Sequence, residues 1–309
     1  MAKTRSPLTD YAAYFGFRIG MCILQSVSPS LALWIVESAA SIFFRFNRRR
    51  RAVAIDNLRH AFTDRYSTEE LNEIVLNIYR HFAAALLECL LMPRKLTAGN
   101  WRHFLDLGEY PRLQAILDTG RPIIVLTAHY GNWELAAHCL GLAGVRSHLV
   151  ARPIDNPYLD DLVRIYREWT GHKVLSKKGD IRRMSEILGA NETLCTLGDQ
   201  NAGAHGMFVD FFGRPASTHK AIARLAQRSG AIIAVVGMQK TGGLLEYTLR
   251  VMDIIRPEEF ADHAGATRAI TRRFTTAVER MVRLDPVQYF WLHRRWKHQP
   301  SEAAKRRAA

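Results

Sequence analysis

The stretch PIIVLTAHYGNWELAAHCLGLAG, residues 122–144, decides the fold. Its first part is a short apolar run rich in β-branched residues, the pattern of a buried strand and too brief for a helix. Gly131 and Asn132 interrupt it. WELAAHCLGL then reads as a helix that Asn132 can cap and that Gly141 or Gly144 can end. Strand, tight turn and helix in succession are the repeating half-unit of an α/β protein.

Outward from this unit the same alternation continues. SHLVA (147–151), HKVL (172–175), ETLCTLG (192–198), MFVDFF (207–212) and AIIAVVGM (231–238) read as further strands, with helices between most of them. Residues 245–252 predict an edge strand and 265–283 a final amphipathic helix. The expected fold is a central mixed β-sheet flanked by helices. Before it, residues 48–92 read as helical, with NLRHAF in one helix and Ser67-Thr68-Glu69-Glu70 opening another.

The first 47 residues are of a different kind. Ile19 to Val36 holds 18 residues without a charge, the lower limit for a membrane span, but Pro29 and four polar neighbours interrupt its middle. Two amphipathic helices lying in one leaflet, a single span, or core helices all fit this pattern. Arg45 and Arg48 to Arg51 follow directly, a basic cluster suited to acidic headgroups, and one that would keep this side cytoplasmic. The same run is also compatible with a solvated helix start. Three segments are therefore expected: a membrane-associating helical segment at 1–47, an α/β domain at 48–298 and a basic, disordered tail at 299–309.

Composition narrows the function. Lys and Arg total 43 against 29 Asp and Glu, a formal charge of +14, so an anionic partner is expected: an acidic membrane surface, an acidic carrier protein or nucleic acid. The four cysteines are scattered through apolar runs with no ligand spacing, which argues against zinc and against a disulfide framework. No GxSxG, Walker or GxGxxG motif is present.

The chemistry concentrates at the turn. His129 leaves the strand, and Glu134 lies in the first turn of the capped helix, where the chain can fold back to bring carboxylate to imidazole. A carboxylate on one ring nitrogen fixes the tautomer and leaves the other as a base. First-turn N–H groups could stabilise charge on a reacting carbonyl. The spacing alone is weak, since 12 histidines give about one chance match and His205/Asp210 is a second. Strand alternation would send those two side chains to opposite faces. Near the C-terminus, YFWLHRRWKH (289–298) mixes aromatics with cations and suits a headgroup layer, ordinary packing or a single-stranded nucleic acid.

Several blocks, in order, make the chain resemble the lipid A biosynthesis (lauroyl/myristoyl) acyltransferases of the lysophospholipid acyltransferase superfamily: NL-x-x-AF at Asn57 to Phe62, AHYGNWE, VARP-x-DNP at Val150 to Pro157, GDQ at Gly198 to Gln200, and FFGRPA at Phe211 to Ala216. The resemblance implies a glycerolipid acyltransferase-like fold, His129 as base, Glu134 as its partner and Arg152 as a cation for an oxyanion or phosphate. It implies a pocket lined by Asn132, Trp133, Asp199, Gln200, Phe211, Phe212, Gly213 and Arg214. Arg152 could instead pair with Asp155 or Asp199, Asp199 could simply cap a loop, and the two phenylalanines could be core residues. The implied reaction moves a fatty acyl chain from an acyl carrier protein thioester to a hydroxyl of a lipid A precursor; the alternatives are acyl-CoA-dependent transfer to another glycolipid or glycerolipid, and a non-catalytic basic membrane-binding module. The chain would act at the cytoplasmic face of the inner membrane through residues 11–51, with no cofactor, no metal and no nucleic acid.

Overall fold

The computed structural model describes residues 6–63, 65–176, 181–261 and 263–300. Most of the predicted basic tail lies outside them.

Helix α1 (Pro7–Ser26) and helix α2 (Pro29–Phe46) are separate. Pro29 does not kink one long helix; it occupies the first turn of the second, where its missing N–H costs nothing, and the Ser28 hydroxyl accepts from the Leu31 N–H at 3.3 Å. α1 buries Asp10 and Met21 and α2 buries Ala32 and Ala40, and both turn large apolar residues outward. Ala32 is buried, whereas Tyr11, Phe15, Ile19, Ile23, Trp34, Phe43 and Phe46 are exposed. The core-helix reading of this region is therefore not met. Helix α3 (Arg48–Ala61) starts with four arginines, and α4 (Thr68–Lys95) starts with the full Ser67/Glu70 capping box.

A seven-stranded sheet follows. Its members are β1 (Leu105–Asp106), β2 (Ile123–Thr127), β3 (Ser147–Ala151), β4 (Lys173–Ser176), β5 (Thr193–Leu197), β8 (Ile232–Lys240) and β9 (Tyr247–Ile255), in the order β1-β9-β8-β2-β5-β3-β4. All neighbours run parallel except β8 and β9, so the sheet is mixed. The helices between are α5 (Tyr110–Leu117), α6 (Trp133–Leu142), α7 (Pro157–Glu168), α8 (Ile181–Gly189), α9 (Ala221–Ser229) and α10 (Ala266–Leu284). Along β2 the side chains alternate between two apolar layers. Ile124 and Leu126 join α8, α9 and α10, while Ile123 and Val125 join α5 and α6.

One predicted strand is displaced. MFVDFF forms β6 (Met207–Phe211), which leaves the main sheet and pairs only with β7 (Arg214–Thr218). Phe212 and Gly213 make its two-residue turn with φ of +53° and +72°, the primed geometry that matches strand twist. The second arm, RPAST, carries a proline that hides it from a strand pattern, but β7 lies at an edge where a missing N–H is tolerated.

Candidate active site

Strand β2 lies between β5 and β8, so the chain emerging from β2 enters a crevice at the carboxyl ends of parallel strands. The ladder continues one step past the strands, with the Gly198 N–H donating to the Thr127 carbonyl at 3.1 Å. This register sets His129 beside Asp199. The Asp199 carboxylate accepts twice: from the His129 ring at Nδ1 (2.8 Å) and from the His129 backbone N–H (3.1 Å). Its side chain is 3% exposed and that of His129 is 21% exposed.

Burial alone would raise the Asp199 carboxyl, but the charge and hydrogen bonds of His129 outweigh it and hold the group below the ordinary carboxylate range. With the Nδ1 proton directed at Asp199, Nε2 carries the lone pair. The Gln200 amide nitrogen lies 3.2 Å from Nε2 and donates to it, as an arriving hydroxyl would. The imidazole is wedged edge-on against Trp133, ring centroids 5.0 Å apart, with Phe290 on another side.

The turn is clamped from several directions. Gly131 has φ +58°, and a Cβ there would fall 1.6 Å from the Met238 carbonyl, so only glycine fits. Its N–H donates to the Gln288 carbonyl, and the Phe290 N–H donates to the His129 carbonyl, both at 2.9 Å. Asn132 caps α6 through Oδ1 to the Leu135 N–H (3.0 Å) and sends its amide to Glu88 (3.0 Å). Glu88 is fully buried, and is satisfied by Lys240 (2.5 Å), the Tyr247 hydroxyl (2.6 Å) and the Leu245 N–H (3.1 Å).

Glu134 does not meet His129. As the second residue of α6 it faces α7, where Arg167 grips both its oxygens (2.5 and 3.0 Å) and the Trp133 indole N–H adds a third bond (3.2 Å). The capped helix carries the carboxylate away from the imidazole, and β5 supplies the replacement. Arg152 is also elsewhere: its side chain is 75% exposed and 3.6 Å from Asp155. It follows β3, two strands and so about 10 Å across the sheet from β2.

Phe211 and Phe212 are core residues, packed edge-on or tilted against Tyr289, Trp291 and Trp296. They line neither apolar cavity described below, and neither do Gly213 and Arg214 at the hairpin turn. Trp291, Trp296 and Arg295 of the C-terminal stretch are likewise buried, leaving Arg294 and Lys297 exposed. Other blocks prove to be fasteners. The Asn57 amide donates to the Trp291 and His293 carbonyls (2.8 Å each), and Asn156 caps α7 while donating to the Asp10 carbonyl of α1 (2.8 Å).

Two apolar cavities reach the site. One, of about 100 Å³, runs between the sheet and α6. The other, of about 380 Å³, lies among α1, α4, α6 and α7 and touches Gly131, Asn132 and Phe290. Trp133, Glu134, Ala137 and Arg167 border both. Among the described residues no group of acidic, histidine and cysteine side chains could hold a metal ion.

A carboxylate-oriented imidazole beside two cavities shaped for hydrocarbon is the equipment of an enzyme that handles a long apolar group. The family comparison gives that class its name: the model of the bacterial lipid A biosynthesis acyltransferases matches residues 2–298, and the chain belongs to that family. It is therefore an acyltransferase. It is 27% identical to the lipid A biosynthesis lauroyltransferase of Escherichia coli over 270 residues, 85% of this chain and 84% of the relative. The palmitoleoyltransferase of the same organism is 24% identical, covering 82% of this chain and 81% of its own length. The phosphatidylinositol mannoside acyltransferase of Mycolicibacterium smegmatis is 26% identical over 64% of each chain.

Proposed function

We propose that this acyltransferase moves a fatty acyl chain from an acyl carrier protein thioester to a hydroxyl of a lipid A precursor, at the cytoplasmic face of the inner membrane, with His129 as general base and Asp199 as its orienting partner. The observation that carries the mechanism is the pair of hydrogen bonds that the ring and backbone N–H of His129 donate to Asp199. Nε2 removes the proton of the acceptor hydroxyl. The oxygen attacks the thioester carbonyl, the tetrahedral intermediate collapses with cleavage of the C–S bond, and the imidazolium returns the proton to the departing thiolate. The first-turn N–H groups of α6 that the Asn132 cap does not engage, those of Trp133 and Glu134, face the developing oxyanion in this scheme, with the helix dipole behind them. Holding both reactants in line supplies much of the acceleration.

Charge and surface support the substrates. An acyl carrier protein and the phosphates of a lipid A precursor are both anionic, matching the formal +14. The exposed apolar residues of α1 and α2, ending at Arg45 and the arginines that open α3, suit a bilayer with acidic headgroups. Transfer of acyl groups by folded His129→Ala and Asp199→Asn proteins tests the mechanism. The first should lose at least about a thousandfold in kcat, and near-normal turnover would sink the assignment. Mass spectrometry of lipids from a deletion strain tests the acceptor: loss of one acyl chain from lipid A is expected. Faster turnover with acyl-CoA than with acyl carrier protein would reverse the choice of donor.

A further inference from the structure

Helix α10 carries a row of arginines that the chemistry at His129 does not use. Arg268, Arg272 and Arg280, with Thr276 between, recur on a four-residue interval and are exposed, so they form one stripe about 18 Å long at 1.5 Å per residue. Several exposed helical arginines elsewhere have an acidic neighbour one turn away, as Arg112 has Glu109, Arg164 has Asp161 and Arg182 has Glu186. Along this stripe arginine follows arginine, an arrangement that costs a helix stability. A groove of about 480 Å³ runs beside it. Its charged walls among the described residues are Arg268, Arg272, Arg273, Arg280 and His263, against one carboxylate, Asp253.

Asp253 neutralises only part of this charge. Arg273 grips both its oxygens at 3.0 Å and pairs with Glu259 as well, while Arg280 stands 3.8 Å off. Arg268 and Arg280 each spend one guanidinium nitrogen on a backbone carbonyl, those of Phe208 and Met252, both at 2.8 Å. Arg272 makes no hydrogen bond or ion pair among the described residues. The His263 Nδ1 accepts from the Gly265 N–H at 3.0 Å, which leaves the ring proton on Nε2 as a further donor. The groove thus offers donors and positive charge to an anionic partner. Among the described residues no large apolar side chain lines it, unlike the outer faces of α1 and α2, so it holds no anchor for a bilayer. No aromatic ring lines it either, and single-stranded nucleic acid would lack a stacking platform. An acidic helix suits it: carboxylates at the same four-residue interval match the stripe, and guanidinium forks bind carboxylates two bonds at a time.

We propose that this groove is the docking surface for an acyl carrier protein, and that it takes an acidic helix of that protein with carboxylates facing Arg268, Arg272 and Arg280. The place of the stripe in the fold suits delivery to His129. Met281, next to Arg280, packs on Gly237, where a Cβ would fall 2.5 Å from its sulfur. Gly237 precedes Met238, whose carbonyl abuts Gly131 in the catalytic turn. Past the end of α10, the Gln288 carbonyl holds the Gly131 N–H. The stripe therefore ends near the level of that turn, and a carrier bound along it needs only its flexible prosthetic arm to bring the thioester in. The inference rests on the reading that the donor is a carrier-bound thioester.

The test is binding of fluorescently labelled holo acyl carrier protein to the full-length protein in zwitterionic micelles, followed by anisotropy at several salt concentrations. Arg268→Gln with Arg272→Gln and Arg280→Gln should raise Kd about tenfold or more and flatten its dependence on salt. Arg272→Glu alone breaks no contact within the described fold, so misfolding cannot account for its effect, and it should raise Kd at least about threefold. An unchanged Kd in either protein overturns the docking surface and leaves the carrier as donor. Failure of the unaltered protein to bind the carrier removes the donor reading, and the groove with it. Tighter binding of a single-stranded oligonucleotide or of phosphatidylglycerol vesicles through the same arginines overturns the choice of partner. Because no turnover is measured, none of these outcomes depends on His129.

Discussion

Both oxygens of Asp199 are committed to His129, one to the ring and one to the backbone N–H. Asp199→Asn keeps the shape but can present an N–H where an acceptor is needed, so the imidazole loses the tautomer that leaves Nε2 bare. We expect kcat to fall about 10²–10⁴-fold in steady-state acyl transfer. Glu134→Gln breaks the grip of Arg167 at the wall between the two cavities, and should raise KM for the acyl donor more than it lowers kcat. His293 gives a pH prediction. It accepts from the Asn201 N–H at 3.0 Å, and burial depresses it from 6.5 to about 4. Between those values the unfolded chain binds the proton and the folded chain does not, so this contribution to stability is complete above pH 6.5 and declines as pH falls toward 4. Urea midpoints measured from pH 7 down to 5 should drop, and His293→Asn should flatten the slope.

At the scale of elements, the strand-turn-helix around His129 was legible because buried strands, glycine turns and capped helices have local signatures. The Gly131 turn is the sharpest case. Gly131→Ala must both adopt a positive φ and displace the Met238 carbonyl, and should cost about 3 kcal/mol or more in chemical denaturation. Asn132→Ala removes the cap of α6, worth about 1 kcal/mol, and takes a donor from the buried Glu88. What sequence spacing could not supply was the partner of His129. Glu134 is near in sequence and Asp199 is near in space, and only the parallel pairing of β2 with β5 makes the second kind of nearness visible. Arg152 failed for the same reason, since strand order places β3 beyond β5. The GDQ block contained the carboxylate that meets His129, but its spacing from His129 carries no local signal. Arg167 and Glu88 went unnoticed because each is an ordinary charge on an amphipathic helix until the fold buries it.

Over the whole molecule, most of the exposed large apolar residues lie on α1 and α2, just ahead of the four arginines that open α3. Trp34, Phe43 and Phe46 are exposed on α2, and replacing all three by serine should markedly reduce sedimentation with anionic lipid vesicles, at about 1.5–3 kcal/mol for each large side chain no longer buried in lipid. Arg48→Gln with Arg49→Gln should weaken the salt-sensitive part of binding by about 1 kcal/mol per residue. These surfaces lie at one end of the chain, yet the site is closed by the other. The main chain at Gln288 and Phe290 clamps the His129 turn, and Asn57 fastens the residues that follow. On the ribosome, α1 and α2 emerge while the sheet is still unmade. The His129 turn cannot be locked until the segment around Phe290 has left the exit tunnel, so the site is completed only after every strand of the sheet has been synthesised.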